Sequence, residues 1–149
     1  MKKCIIVDID GTLADISHRR HHVEGDKKDW ALFKQGMHKD TVNEWCKWIV
    51  LMALQDGLKV FFVTGRMADC STITREWVYE NFGLEAQHMS FFFRNVGDYR
   101  KDSIVKEEIY KKYIEPCYDV LFVVDDRKQV VDMWREQGLT CLQCAEGDF

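Results

Sequence analysis

The chain is poor in long apolar runs and in excess charge of either sign. None of its 149 residues lies in an apolar stretch approaching the roughly 20 residues that span a bilayer, so no membrane helix is expected. Lys and Arg number 21 against 25 Asp and Glu, a net charge of -4. No global basic excess marks a polyanion binder, and any such partner has to be met by a local basic patch. A G-x-x-x-x-G-K-[ST] phosphate loop is missing, as are internal repeats, low-complexity tracts and linkers. No second CxxC accompanies Cys141-x-x-Cys144, which argues against a zinc ribbon. The six cysteines are scattered and mostly lie within apolar patterns, so they read as reduced core residues. Met1-Lys2-Lys3 runs straight into an apolar strand with no signal-peptide pattern, and a cytoplasmic protein is expected.

What is present is an alternation of apolar strands and amphipathic helices. Strands are expected at Cys4–Val7, 59–65 (KVFFVTG), 88–93 (HMSFFF), 120–125 (VLFVVD) and 140–144 (TCLQC). Val42, Trp45, Cys46, Ile49, Met52 and Ala53 recur at helical spacing, with Thr41 as a candidate cap and Gly57 as the stop. Further helices are expected from about 68 to 82, from 102 to 114, and around Val130, Val131 and Trp134. Apolar strands alternating with helices predict an α/β, Rossmann-like parallel sheet of about five strands, covered on both faces. The length suits a single domain over 1–149. Residues 14–40 are polar and rich in His, Lys and Arg, and read as a small cap-like insertion after strand 1, over the sheet edge.

Open parallel sheets bind ligands at the carboxyl ends of their strands. This sequence sends Asp8, Asp10, Gly11 and Thr12 there from strand one, Thr64, Gly65 and Arg66 from strand two, and Asp125, Asp126 and Arg127 from strand four. Asp102 and Lys106 open the helix after strand three. Converging carboxylates require a hard cation, and Mg²⁺ suits oxygen ligands; Asp8, Asp10, Asp125 and Asp126 are its candidate ligands. A carboxylate beside Mg²⁺ can attack phosphorus and form an aspartyl-phosphate. A second acid then protonates the leaving alcohol and later deprotonates water, and Asp8 and Asp10 would divide those two roles. Lys106 would neutralise phosphate charge, while the Thr64 hydroxyl and nearby backbone N–H groups would hold phosphate oxygens.

The run Asp8-Ile9-Asp10-Gly11-Thr12 resembles the first motif of the haloacid dehalogenase superfamily of phosphotransferases. Thr64 resembles the second motif, Lys106 the third and Asp125-Asp126 the fourth, in the right order and spacing over the whole chain. More narrowly, the stretches DGTLADISHR, VTGR, GDYRKDSIVKEEIY, VDDRKQVVDMWREQGLTC and the closing GDF are similar to the phosphatase half of the bacteriophage-type polynucleotide kinase/phosphatases. That family removes 3′-phosphates from nucleic-acid ends and from nucleotides. The resemblance implies Asp8 as nucleophile and Asp10 as general acid/base. It also implies Arg19, Arg66, Asp102 and Lys106 on substrate and phosphate, Asp125 and Asp126 at the metal, and a nucleotide or 3′-phosphorylated oligonucleotide as substrate. With no kinase phosphate loop, the chain is expected not to phosphorylate 5′ ends, and a kinase or ligase would come from a separate partner. A nucleotidase acting on mononucleotides is the alternative. A phosphate-binding domain without turnover is disfavoured, because all four motif types are present.

Blander readings stand beside these. His18-Arg19-Arg20-His21-His22 reads as a solvated basic loop rather than a metal site, with Arg19 alone supported by the family pattern. Arg127 reads as pairing with a nearby carboxylate. Trp45 reads as core, and Phe91-Phe92-Phe93 as buried strand. Trp30 and Phe33 read either as a small core inside the insertion or as a platform for stacking bases.

Overall fold

The apolar runs pair in parallel, as their lack of polar alternation requires. The computed structural model describes residues 1–147, so Asp148 and Phe149 of the closing GDF lie outside the described residues. The chain begins with β1 (Lys2–Val7) and β2 (Ala14–Asp15), then α1 (Trp30–Gln35), β3 (Thr41–Val42) and α2 (Glu44–Gln55). There follow β4 (Lys59–Met67), α3 (Ser71–Phe82), β5 (Met89–Arg94), α4 (Asp102–Ile109), β6 (Tyr118–Arg127), α5 (Lys128–Glu136) and β7 (Cys141–Gly147). Five of the strands form one sheet in the order β5-β4-β1-β6-β7, and every pairing in it is parallel.

Side-chain alternation sorts the strand residues into two cores. Ile5, Val7, Val60 and Phe62 point to the face covered by Cys46 and Val50 of α2 and Trp77, Val78 and Phe82 of α3. Cys4, Ile6, Phe61 and Val63 point to the face covered by Val105 and Ile109 of α4 and Val130, Val131 and Trp134 of α5. The chain leaves β1 toward β4 and later returns to place β6 on its other side. The crevice outside the tips of β1 and β6 is therefore the topological switch point where such sheets bind ligands.

The insertion is folded rather than a loose loop. Its β2 pairs antiparallel with β3 through Ala14–Val42 and Asp15–Thr41. Its buried Ile16, Val23 and Phe33 join the core beneath α2 and α3. This pairing corrects the reading of Thr41 as a helix cap: Thr41 belongs to β3, and Asn43 precedes α2 with no side-chain cap bond. Trp45 is also corrected, since it is 43 % exposed. The buried stripe of α2 is Cys46, Val50 and Ala53, one residue further round, which leaves Trp45 on its flank. Phe91, Phe92 and Phe93 are only half-buried because β5 is an edge strand. The helix expected over 102–114 is α-helical to Ile109 and widens into a π-helical turn at Tyr110–Ile114.

Candidate active site

Asp8 stands one residue beyond the end of β1, and Asp125 and Asp126 lie near the end of β6, so the sheet register alone brings the three together. One oxygen from each lies within 4.8 Å of the others. Lys106, one turn into α4, reaches between them, with Nζ 2.8 Å from Asp8 Oδ1 and 3.0 Å from Asp125 Oδ2. Burial alone would discharge this lysine, but Asp125 and Asp8 outweigh it and hold the ammonium charged. Thr12 donates to Asp8 Oδ2 at 3.2 Å. Asp125 is fixed from three sides: Oδ1 accepts the backbone N–H groups of Asp126 and Arg127, and Oδ2 that of the Trp134 indole.

One lysine does not balance three carboxylates. Burial, and then the charge of Asp125, push the Asp126 carboxyl up to about 6 and Asp8 well above the usual carboxylate range. Among the described residues, Asp126 Oδ2 is buried and receives no hydrogen bond. Gly11, at φ +82°, passes so near that a Cβ there would lie 2.2 Å from this oxygen. A clustered, oxygen-only donor set with a bare buried oxygen fits a hard divalent cation.

Asp10 is placed differently. Its carboxylate lies outside that trio and is clasped by two guanidiniums: Arg66 Nη2 and Arg19 Nη2 each approach Oδ1 to 2.6 Å. Burial would raise this carboxyl, but Arg66 and then Arg19 prevail and hold it down at about 2. Both arginines are themselves anchored by Asp40. Arg19 binds it twice, at 2.8 and 2.6 Å, and Arg66 Nη2 approaches it to 3.4 Å. Asp40 also meets His18 Nε2 at 2.6 Å, and its backbone carbonyl accepts the Trp77 indole N–H. Arg66 Nη1 donates to Thr74 at 2.9 Å. Arg19 is 1 % exposed, so the stretch 18–22 is not uniformly solvated as expected.

Asp102 and Gly65 sit together because β4 and α4 crowd at the sheet edge; a Cβ at residue 65 would fall 2.7 Å from Asp102 Oδ1. Arg94 bridges them, donating to the Gly65 carbonyl at 3.1 Å and to Asp102 at 3.3 Å. Arg127 lies 3.5 Å from Asp102 Oδ2, the carboxylate pairing that the sequence suggested for it. Thr64 is buried, and its hydroxyl accepts the Arg66 N–H at 3.1 Å. A cleft of about 420 Å³ opens over this constellation, lined by Asp8, Asp10, Arg66, Asp102 and Asp126, with Trp30 and Phe33 from the insertion. Asp40 and Arg94 are the residues that sequence reading missed. Nothing local distinguishes either of them.

Comparison with known proteins agrees with this geometry. A family model described as the polynucleotide kinase PNKP phosphatase domain matches residues 2–149. A protein of Autographa californica nuclear polyhedrosis virus named "Putative bifunctional polynucleotide kinase/RNA ligase" is 34 % identical over 134 residues, 90 % of this chain and 18 % of the viral protein. Among solved structures, a chain of a Pnkp1/Rnl/Hen1 complex superposes with TM-score 0.84 and 33 % identity over all of this chain and 48 % of its own length. A haloacid dehalogenase-like hydrolase from Streptococcus pneumoniae shares the fold at TM-score 0.64 and 13 % identity, over 94 % of this chain and 83 % of its own. The chain thus spans less than half the length of the viral and Pnkp1-complex relatives.

Proposed function

The chain belongs to the PNKP phosphatase-domain family of haloacid dehalogenase-type hydrolases, and from that premise we propose that it is a Mg²⁺-dependent phosphatase removing 3′-phosphates from nucleic-acid ends. The observation that carries the reading is the Asp8–Lys106–Asp125–Asp126 cluster opening into a cleft that also holds Asp10. We read 1–149 as one phosphatase domain.

Asp8 is the nucleophile. Lys106 and Thr12 orient its carboxylate, and an oxygen of Asp8 attacks phosphorus while the bond to the ester oxygen breaks. The leaving oxygen takes a proton from Asp10. Water then attacks the aspartyl-phosphate, Asp10 accepts its proton, and phosphate departs with Asp8 restored. Asp8, Asp125 and Asp126 would hold Mg²⁺, which supplies charge neutralisation at the phosphoryl oxygens when bound. A carboxyl held near 2 by Arg19 and Arg66 is a poor proton donor. Proton transfer through Asp10 therefore requires that a guanidinium release it, and an incoming phosphate is the anion that would draw one away. Gly65, Thr64 and Asp102 shape the phosphate pocket, the last by holding Arg94 and Arg127.

The names of the viral relative and of the Pnkp1/Rnl/Hen1 complex join kinase, ligase and RNA repair. We extend that setting to this chain: a kinase or ligase acts on the ends it clears. All six cysteines are unpaired, which suits the reducing cytoplasm. The test is phosphate release from a 3′-phosphorylated oligonucleotide beside 3′- and 5′-mononucleotides. Faster turnover of the oligonucleotide supports end healing, and faster turnover of mononucleotides supports a nucleotidase.

A further inference from the structure

The cleft has an aromatic wall that the chemistry above leaves unused. Trp30 opens α1 and lines the same cleft as Asp8 and Asp10, yet it remains 44 % exposed. Single exposed hydrophobics are ordinary, but this ring is held in a defined place. It stands edge-on to Phe33, with centroids 5.8 Å apart at 88°. Phe33 is buried, and the Arg19 guanidinium lies 4.2 Å from its ring centroid. Arg19 in turn binds Asp10. One continuous chain of contacts, Asp10–Arg19–Phe33–Trp30, thus ties the indole to the reacting end of the cleft. The aspartate N-cap of α1, Asp29 accepting from the Leu32 N–H, fixes the first turn that carries Trp30. Lys34, one turn further along α1, and Arg100 and Lys101 also line the cleft.

We propose that Trp30 is a stacking platform for the nucleobase of the 3′-terminal nucleotide, so that the insertion recognises the substrate as a nucleotide rather than as any phosphate ester. The inference rests on the phosphatase reading and deepens it by naming the side chain that holds the nucleotide in the same cleft. A base has a π-face on either side whatever its identity, so the platform selects for a base without reading sequence. Lys34 and Lys101 supply the charge that a neighbouring backbone phosphate meets. Phe33 is the part of the pair used as core, and Trp30 the part left for the ligand.

The experiment compares wild type, Trp30→Ala and Trp30→Phe on two 3′-phosphorylated oligonucleotides, one complete and one lacking the terminal base. Dissociation constants of the matching 3′-hydroxyl products are measured in parallel. In wild type, removing the base raises KM and product Kd about 5–10-fold, the lower range of a base–aromatic stack. Trp30→Ala raises both for the complete substrate by the same factor, is indifferent to the missing base, and leaves kcat near wild type; Trp30→Phe restores most of the loss. Equal effects of Trp30→Ala on both oligonucleotides, or no effect on either, would overturn the platform. If no substrate turns over but product Kd keeps this pattern, the phosphatase reading fails and the platform stands.

Discussion

Asp126 carries a buried oxygen with no hydrogen bond, next to two further carboxylates. Its carboxyl is pushed up to about 6, first by burial and then by Asp125. A group whose folded pKa is raised stabilises the fold below its unfolded pKa of about 4, and that contribution is lost as pH rises through about 6. Metal-free wild type should therefore lose thermal stability between pH 5 and pH 7, and Asp126→Asn should lose less. The measurement is Tm in EDTA across that range. Adding Mg²⁺ should raise the wild-type Tm by mass action and leave Asp126→Asn nearly unmoved. Gly11→Ala should fail in the same metal titration, because a Cβ at φ +82° would fall on Asp126 Oδ2; its metal-free Tm should also drop, by about 1 kcal/mol or more of stability. At this scale Asp8, Lys106, Asp125 and Asp126 were legible, since each sits at a strand end or helix start that the apolar pattern marks. The differing fate of Asp10 was not, because the guanidiniums that claim it arrive from residues 9 and 56 positions away.

The insertion and the loop before α4 act as elements rather than as single residues. Asp40 closes the insertion and holds Arg19 with two bonds. Asp40→Ala leaves buried guanidiniums short of a counter-charge, at a cost of roughly 3 kcal/mol, or about 10 °C in Tm for a chain of this size. Calorimetry checks this, and kcat should fall with it because Asp10 loses its setting. Arg100 grips Asp98 at 2.9 Å and Glu108 on α4. Bonds from Arg100 hold Asp98 at about 2 and lower Glu108. Lowered carboxyls stabilise above their ordinary values, and the contribution is lost as pH falls toward 2. Arg100→Ala should therefore lower Tm more at pH 6 than at pH 3, and less in high salt. Periodicity exposed the main helices and strands, because their burial is one-sided. It missed the β2–β3 pairing, where two residues per strand carry no pattern. It also placed Trp45 inward, because an apolar residue on a helix flank scores like one on its face.

Across the whole molecule, the parallel sheet gathers at one edge residues that the sequence scatters between positions 8 and 126. Both cores serve that edge: one supports the insertion with Arg19 and Asp40, the other carries α4 with Lys106. The fold class was legible because fully apolar strands alternating with helices permit few arrangements. How the insertion roofs the cleft was not, since it depends on contacts among Asp10, Arg19, Arg66 and Asp40 that only the closed sheet creates. Among the described residues no helix is long and apolar enough to cross a membrane. The central claim is that this edge hydrolyses 3′-phosphates through Asp8. The most direct measurement is phosphate release from a 3′-phosphorylated oligonucleotide with Mg²⁺, with EDTA, and with Asp8→Asn. The account predicts turnover in the first and none in the other two, with Asp8→Asn still folded. Undiminished release by Asp8→Asn, or none from wild type with Mg²⁺, would contradict it.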